Sequence, residues 1–172
     1  MRDAVLSTDF VIINAGGLRT QWYPGFIQEQ HFYNMFPFEN YLISFDILGS
    51  ELIELLKIVQ AGFLGFYPTA GLKQTVTVDF NNRKLKHSLV NVTFDNGKPI
   101  IPEKMYRGMS VDFLLQGGDD FVNVMGKVYS LRNSKNEGVI RDLVRPQLES
   151  LKVIREGSLI DPENPRLVVI PA

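Results

Sequence analysis

A glycine turn that ends in an arginine is the first stretch whose residue types could bind a ligand. Residues 14–19 read Asn-Ala-Gly-Gly-Leu-Arg and follow an apolar, β-branched run at residues 10–13 that predicts a buried strand. Ligands of α/β sheets collect at the carboxyl ends of strands. Arg19 offers a planar fork of donors to a phosphate or carboxylate, and Asn14 both donates and accepts. Alone, the hexapeptide favours a glycine turn with a surface arginine over a binding site, since short glycine motifs match by chance.

Two further segments carry aromatic rings beside polar groups at strand boundaries. Residues 36–40 read Phe-Pro-Phe-Glu-Asn, and residues 113–121 read Phe-Leu-Leu-Gln-Gly-Gly-Asp-Asp-Phe. Two phenylalanines from separate loops can sandwich a flat base, a contact worth about 1–3 kcal/mol per base in nucleic-acid binders. An aspartate at a glycine turn can accept hydrogen bonds from two ribose hydroxyls. Taken singly, each phenylalanine is more typical of a core.

The elements around these segments predict an α+β fold, a mixed β-sheet with packed helices. Helices are expected at residues 28–35, at residues 50–61 with Ser50 as cap and Gly62 as end, and at 139–151 with a kink or restart at Pro146. Strands are expected at residues 41–47, 73–80, 88–94 and 106–114, with an Asn-Gly turn at 96–97. Another apolar run lies at residues 121–124, and residues 166–170 would be a last short strand or an extended tail. Several strands follow one another through turns, which favours a mixed sheet over a parallel one.

Length and composition set the class of protein. The 172 residues fit a single domain, and 45% hydrophobic with 22% charged residues is ordinary for a globule. A net charge of −1 argues against a broad nucleic-acid surface, and the lack of cysteine excludes disulfides and thiolate chemistry. No apolar run reaches the length of a membrane span, and no signal peptide is visible. If Met1 is an expression start, the chain is an excised piece, and the compartment stays unknown.

The sequence lacks the marks of a complete hydrolytic centre. His31 and His87 lie far apart and outside any metal-binding spacing, so each is expected to be a surface or hydrogen-bonded histidine. A Gly-x-Ser-x-Gly nucleophile, a cysteine nucleophile and a Walker lysine are all missing. We therefore expect no catalytic residue in this chain and no hydrolase activity from it alone.

The three segments, in this order and with a Leu-Gly-Ser helix start at residues 48–50 between the second and third, resemble the C-terminal domain of the 5′-nucleotidases. That family includes UDP-sugar hydrolases and 2′,3′-cyclic-nucleotide phosphodiesterases. The resemblance extends from about residue 9 to about residue 151. It implies a nucleotide-binding domain in which Phe38 and Phe113 stack the base and Asp119 holds the ribose hydroxyls. Arg19 would contact the phosphate or ribose, and Asn14 the base.

Other positions match the family pattern less closely. Asn40 and Gly71 match positions that touch the edge of the base in some members. Glu39 stands where glycine is common, and Asp120 stands where glycine often follows the aspartate. Both add negative charge near the implied base pocket, which puts the preferred base and nucleotide binding itself in question. An arginine that family members supply from upstream would lie outside this chain.

The resemblance also implies a covalent partner. In the family, catalysis belongs to an N-terminal metallophosphatase domain with two divalent metal ions, whose Asp-x-His, Gly-Asn-His-Asp and His-x-His motifs are absent here. This chain would bind the nucleoside or nucleotide, and rotation of the two domains would carry it to the metals. Family members are often periplasmic or extracellular. A homodimer is left open, and nucleic acid is not an expected partner.

Two alternatives compete with this interpretation. The Gly-Gly-Asp-Asp-Phe run at residues 117–121 is similar to the Gly-Gly-Asp-Glu-Phe hairpin of diguanylate cyclases, but the earlier metal-binding aspartate and Asn-Asp signature of those enzymes are missing. The second alternative is a non-catalytic interaction domain that descends from the nucleotidases and no longer binds nucleotide. Glu39 and Asp120 favour that alternative.

Overall fold

The fold is described from a computed structural model of the 172-residue chain. The structure describes residues 7–61, 67–79, 86–119, 131–154, 163 and 165–171. Within these ranges the chain forms two β-sheets with helices packed against them, which confirms the predicted α+β class. The apolar run at residues 121–124, the helix end expected at Gly62 and Asp120 lie outside the described residues.

The larger sheet has five strands in the order β3-β1-β6-β2-β7. Their bounds are Phe10–Ile12 for β1, Tyr41–Leu48 for β2, Thr69–Ala70 for β3, Met105–Val111 for β6 and Arg132–Val139 for β7. Strand β6 runs parallel to β1 and antiparallel to β2, while β2 also pairs antiparallel with β7. The sheet is therefore mixed, as the turn-linked strands of the sequence predict.

The smaller sheet has three strands in the order β5-β4-β8. Their bounds are Leu72–Asp79 for β4, Lys86–Phe94 for β5 and Leu167–Pro171 for β8. Strands β4 and β5 form an antiparallel pair, and β8 joins β4 in parallel. In β4, buried and half-buried residues alternate, which is the period of a strand that turns one face to a core.

Four α-helices lie within the described residues, and the second of them supplies much of the main core. They are α1 (Glu29–Met35), α2 (Gly49–Ala61), α3 (Asp112–Leu115) and α4 (Ile140–Ser150). The apolar residues of α2 recur at a spacing of i, i+3, i+4 and i+7 and form one stripe, which comprises Leu52, Leu55, Leu56 and Val59. The stripe is buried together with the inward residues of β1 and β2. Among the helices that the structure describes, none combines the length and apolar character that a membrane crossing requires.

Three local expectations need correction. The apolar run at residues 106–114 is not one strand, because β6 ends at Val111 and α3 follows it; the Asp112 carboxylate accepts a hydrogen bond from the next backbone N–H, that of Phe113, and so turns the chain. Ser50 does not cap α2, since the helix already includes Gly49, and the Glu51 side chain accepts from the N–H of Leu48 instead. The expected restart at Pro146 does not occur, since helix α4 continues through that residue.

Two strands were not predicted, the two-residue β3 (Thr69–Ala70) and β7. Strand β7 reads Arg-Asn-Ser-Lys-Asn-Glu-Gly-Val, with almost no apolar residue to mark it. It is the outer strand of the five-stranded sheet within the described residues, and four of its eight positions are exposed. An outer strand that is held by backbone pairing needs no hydrophobic alternation. The hydrophobic pattern of residues 132–139 therefore does not predict a strand.

Candidate functional site

Strand direction brings the three candidate segments to one edge of the five-stranded sheet. Strands β1 and β6 run parallel, so both end at this edge, while the antiparallel β2 begins there, with Leu42 opposite Val111. The first segment follows β1, the second precedes β2 and the third follows β6. Three stretches that are far apart in sequence thus start from neighbouring strand ends.

The first and third segments are joined by a side-chain hydrogen bond. Asn14 Nδ2 donates to Asp119 Oδ2 over 2.8 Å, across 105 residues of sequence. Asn14 is only 8% exposed, and its own carbonyl accepts from the N–H of Gly17 in the 3₁₀ turn Ala15–Gly17. A buried amide needs such partners, since an unpaired one would cost about 1–3 kcal/mol. The Asn14–Asp119 pair is therefore a fixed part of this edge.

The first and second segments meet through Arg19. Its guanidinium lies over the Phe38 ring at 5.8 Å from the centroid, and its backbone N–H donates to the carbonyl of Met35 at the end of α1. The guanidinium also makes a long 3.4 Å hydrogen bond to the Gly16 carbonyl. Among the described residues, no carboxylate pairs with Arg19, and its side chain is exposed, so the cation is open to an anionic ligand.

The second and third segments are joined by the Asp112 carboxylate. Asp112 Oδ1 accepts from the N–H of Tyr41 and from the N–H of Phe113, each over 2.9 Å. The hydrogen bond from Tyr41 joins the residue that follows the second segment to Asp112, the residue that precedes the third segment. The first segment therefore contacts each of the other two directly, and the second and third are joined through the residues that flank them.

Both candidate stacking rings are accessible. Phe38 is 46% exposed and Phe113 is 41% exposed, so neither is a core residue. One side of the Phe113 ring rests on the backbone of Gly118, where an added Cβ would stand 2.4 Å from two ring carbons. Glycine at position 118 thus lets the Phe113 ring lie flat on the turn.

A small cavity lies beside Phe38, and its lining residues identify which neighbours of Phe38 face the same space. It has a volume of about 20 Å³, and its lining includes Asn14, Phe38 and Asn40 but not Glu39. That volume holds about one water molecule and not a nucleobase. A base at this edge would have to lie on the exposed rings, and Glu39, although adjacent in sequence, does not line the cavity.

The turn that carries Asp119 is held from the core by a residue that the sequence did not single out. Asp119 has a positive φ of 49°, uncommon for a non-glycine residue. The Tyr67 hydroxyl, whose ring belongs to the main buried cluster, donates to the Asp119 carbonyl. Tyr67 lies in an aromatic loop whose sequence predicts no partner, because the contact spans 52 residues.

Gly71 is not part of this group. It has a φ of +79°, and an added Cβ would stand 2.3 Å from the Asp9 carbonyl oxygen. Gly71 follows Ala70, which pairs with Val11 of β1, so it lies toward the start of β1, whereas Asn14 follows the end of that strand. The observed contacts give Gly71 a structural reason, and its predicted ligand role stays a prediction.

Ion pairs elsewhere in the larger sheet are structural. Hydrogen bonding from Arg107 holds the pKa of Asp46 below its usual value, and the Arg132 guanidinium does the same for the pKa of Glu51. The hydrogen bond from the Ser44 hydroxyl, at 2.6 Å, lowers the pKa of Glu137. None of these carboxylates belongs to the three segments.

The described residues offer no metal centre, and the histidine that they include in full has a structural contact. Within these ranges, no three His, Cys, Asp or Glu side chains lie close enough together to hold a metal ion. His31 Nδ1 accepts from the N–H of Gln28 over 3.0 Å and completes a capping box at the start of α1. This agrees with its interpretation as a hydrogen-bonded histidine.

Comparisons with known proteins agree with one another. A family model described as "5′-nucleotidase, C-terminal domain" matches residues 2–127. Protein UshA of Escherichia coli (strain K12) is 28% identical over 123 residues, which is 69% of this chain and 20% of that protein. A probable 5′-nucleotidase of Treponema pallidum (strain Nichols) is 26% identical over 136 residues, or 74% of this chain and 23% of that protein. The chain thus spans about a fifth of the length of these curated relatives.

Solved structures share the fold at low identity. The 5′-nucleotidase precursor of Thermus thermophilus aligns with a TM-score of 0.78 at 22% identity, covering 98% of this chain and 33% of that one. The NAD nucleotidase of Haemophilus influenzae aligns with a TM-score of 0.73 at 20% identity, covering 96% of this chain and 30% of that one. At these identities the likeness concerns the fold.

Proposed function

The chain belongs to the 5′-nucleotidase C-terminal domain family, and from this premise we propose that it is the nucleotide-recognition part of a two-domain, metal-dependent phosphohydrolase. The observation that carries the proposal is the convergence of the three segments at one sheet edge. Asn14–Asp119 and Arg19–Phe38 join the first segment to the other two, and Tyr41–Asp112 joins the residues that flank the second and third. A glycine turn with a surface arginine would need none of these contacts.

The proposed contacts follow from the chemistry of each side chain. The exposed rings of Phe38 and Phe113 stack on the base, and Asp119 accepts from the ribose hydroxyls with the carboxylate that Asn14 already orients. Arg19, which no described carboxylate neutralises, binds the phosphate. Asn40 lines the cavity beside Phe38 and offers an amide to the edge of the base.

The acidic residue beside the site does not prevent this arrangement. Glu39 is exposed and does not line the cavity that Phe38 and Asn40 share. A carboxylate directed into water has little effect on a neutral base at some distance, because water screens its charge. We therefore propose that nucleotide binding is retained despite the glutamate, and that Glu39→Gly leaves nucleotide affinity within about twofold of the unaltered chain.

The chemical step would belong to a covalently linked N-terminal domain. We propose that two divalent metal ions in that domain activate water for attack at phosphorus, while this chain holds the nucleotide. The chain alone is then expected to bind without hydrolysing. The chain covers about a fifth to a third of the relatives' lengths, which leaves room for such a domain.

Calorimetric titration of the full 172-residue chain with adenosine, AMP and UDP-glucose tests the proposal. Phe38→Ala or Phe113→Ala should weaken binding by about 1–3 kcal/mol, or roughly 5- to 150-fold, because each removes a stacking face. Phe26→Ala is the matched control: Phe26 is 96% exposed but belongs to none of the three segments. It should leave the affinity unchanged.

The contrast between phosphate-bearing and phosphate-free ligands tests Arg19 separately. Arg19→Met should weaken AMP more than adenosine, since only AMP carries the anion. If the unaltered chain, including its linked N-terminal domain where that can be produced, binds none of the three ligands, the nucleotide proposal fails. That outcome would favour the interaction-domain alternative.

A further inference from the structure

The segment that carries Phe38 is held at both ends by two consecutive residues of α4. The N–H of Ile140 donates to the Asn40 carbonyl over 2.9 Å. Arg141 Nη1 donates to the Phe36 carbonyl over 3.3 Å. The first turn of α4 therefore contacts the first and last residues of the five-residue segment 36–40. One of these contacts comes from the backbone, and the other depends on a single side chain.

Arg141 is fixed in a way that suits a positioning role. Its side chain is only 16% exposed, and its guanidinium stacks over the Tyr33 ring of α1 at 4.5 Å from the centroid. Its Nε lies 3.7 Å from Asp142 Oδ1, too far for a hydrogen bond, and is buried without a hydrogen-bond partner among the described residues. A planar guanidinium held on a ring can direct its remaining donors with little loss of entropy.

The Phe36 carbonyl is a sensitive point at which to hold this segment. It belongs to the peptide bond before Pro37, and proline fixes its own φ near −65°. The orientation of that peptide plane therefore sets the proline ring, and only the ψ angle of Pro37 remains free before Phe38 begins. A contact at the Phe36 oxygen thus constrains the path of the backbone that presents the Phe38 ring.

We infer that Arg141 is a positioning residue of the nucleotide site, which acts through the Phe36 carbonyl and Pro37 to hold the Phe38 ring for stacking. The inference rests on the proposed function, because it assigns Arg141 to the same ligand. The residue makes none of the proposed ligand contacts itself. The residues around Arg141 in the sequence do not indicate this role, because the contact to Phe36 spans 105 residues.

Arg145 provides a matched control one turn along α4. It pairs with Glu29 over 3.1 Å and its guanidinium lies over the Phe32 and Tyr33 rings at 5.3 and 5.9 Å. It therefore holds α4 against α1, as Arg141 does, but its side chain donates no hydrogen bond to the described segment 36–40. Arg141→Met and Arg145→Met should both lower the melting temperature, whereas only the first should affect the site.

Two measurements on the full chain decide the inference. In ¹⁵N-edited NMR spectra of the ligand-free chain, Arg141→Met should shift the amide resonances of Phe38 and Asn40, and Arg145→Met should not. In calorimetry with whichever of AMP and UDP-glucose binds the unaltered chain more tightly, Arg141→Met should weaken binding about fivefold, as expected for one net hydrogen bond. Arg141→Lys, which keeps a donor, should restore most of that loss.

The failures of the inference and of the proposed function are distinguishable. If the unaltered chain binds none of adenosine, AMP and UDP-glucose, the proposed function fails, and the amide resonances still decide whether Arg141 positions Phe38. If the unaltered chain binds and Arg141→Met matches Arg145→Met in both affinity and amide shifts, the positioning role is overturned. Equal weakening by the lysine and methionine variants would also overturn it, because the donor would then be irrelevant.

Discussion

The contact between Gly118 and Phe113 gives the sharpest prediction of stability. A Cβ at position 118 would stand 2.4 Å from Cε1 and Cζ of the Phe113 ring and 2.6 Å from Cε2, closer than side-chain carbons approach. Overpacking of this kind costs about 1–3 kcal/mol in a closed core. The Phe113 ring is partly exposed and can swing away, so we expect Gly118→Ala to lower the free energy of unfolding by about 1 kcal/mol, the low end of that range.

Whether Gly118→Ala raises or lowers the free energy of unfolding should depend on Phe113. Gly118 does not have a positive φ, so alanine fits its backbone, and Gly→Ala at such sites stabilises by about 0.4–1 kcal/mol through the unfolded chain. In a Phe113→Ala background the new methyl group no longer meets the ring, and only the stabilisation through the unfolded chain remains. Gly118→Ala should therefore destabilise the chain when Phe113 is present and stabilise it slightly when residue 113 is alanine.

Urea unfolding of the four chains of this double-mutant cycle is the assay. A coupling free energy of about 1.5 kcal/mol is expected from the two contributions together. Melting temperature should follow, at roughly 2–4 °C per kcal/mol for a chain of this size. Equal effects of Gly118→Ala in both backgrounds would refute the reasoning, because the ring would then not be what the new methyl group meets.

The other predictions concern acid stability and Gly71. Asp46, Glu51 and Glu137 have lowered pKa values in the folded chain, so the unfolded chain binds more protons as pH falls. Their stabilisation is present above their ordinary pKa and is lost as pH falls through the folded values; urea midpoints that stay constant from about pH 6 to about pH 3 would contradict this. Gly71→Ala should destabilise by about 1–3 kcal/mol or more, from its positive φ and the approach to Asp9, with no change in nucleotide affinity if Gly71 is structural.

The sequence predicts what depends on local pattern. The alternation in β4, the apolar stripe of α2 and the Asn-Gly turn all arise from neighbours within a few residues, and the structure has each of them. The error at residues 112–114 has the same origin. Residues 112–114 follow directly on a strand pattern. What ends the strand is the Asp112 carboxylate, which accepts from the adjacent N–H of Phe113 and also from the N–H of Tyr41, 71 residues away.

In the candidate site, too, local motifs were predictable from the sequence and long-range contacts were not. The order of the three segments led to the candidate residues, because each motif is contiguous. The contacts that join them were not predictable from one sequence: Asn14–Asp119 and Arg141–Phe36 each span 105 residues, and Tyr67–Asp119 spans 52. Strand order decides which ends meet, and pairing of β1 with β6 rather than β2 leaves no mark in the pattern of either strand.

The arginines of the described residues separate the binding role from the structural one. Five of them lie within 3.7 Å of a carboxylate oxygen, namely Arg107, Arg132, Arg141, Arg145 and Arg166. Arg19 has no carboxylate partner among the described residues and lies over an exposed ring at the edge where three segments converge. Four of the five, all but Arg141, donate a hydrogen bond to that carboxylate, whereas a fixed carboxylate at Arg19 would compete with an incoming phosphate. The unpaired cation therefore favours an anionic ligand at this edge over a purely structural turn.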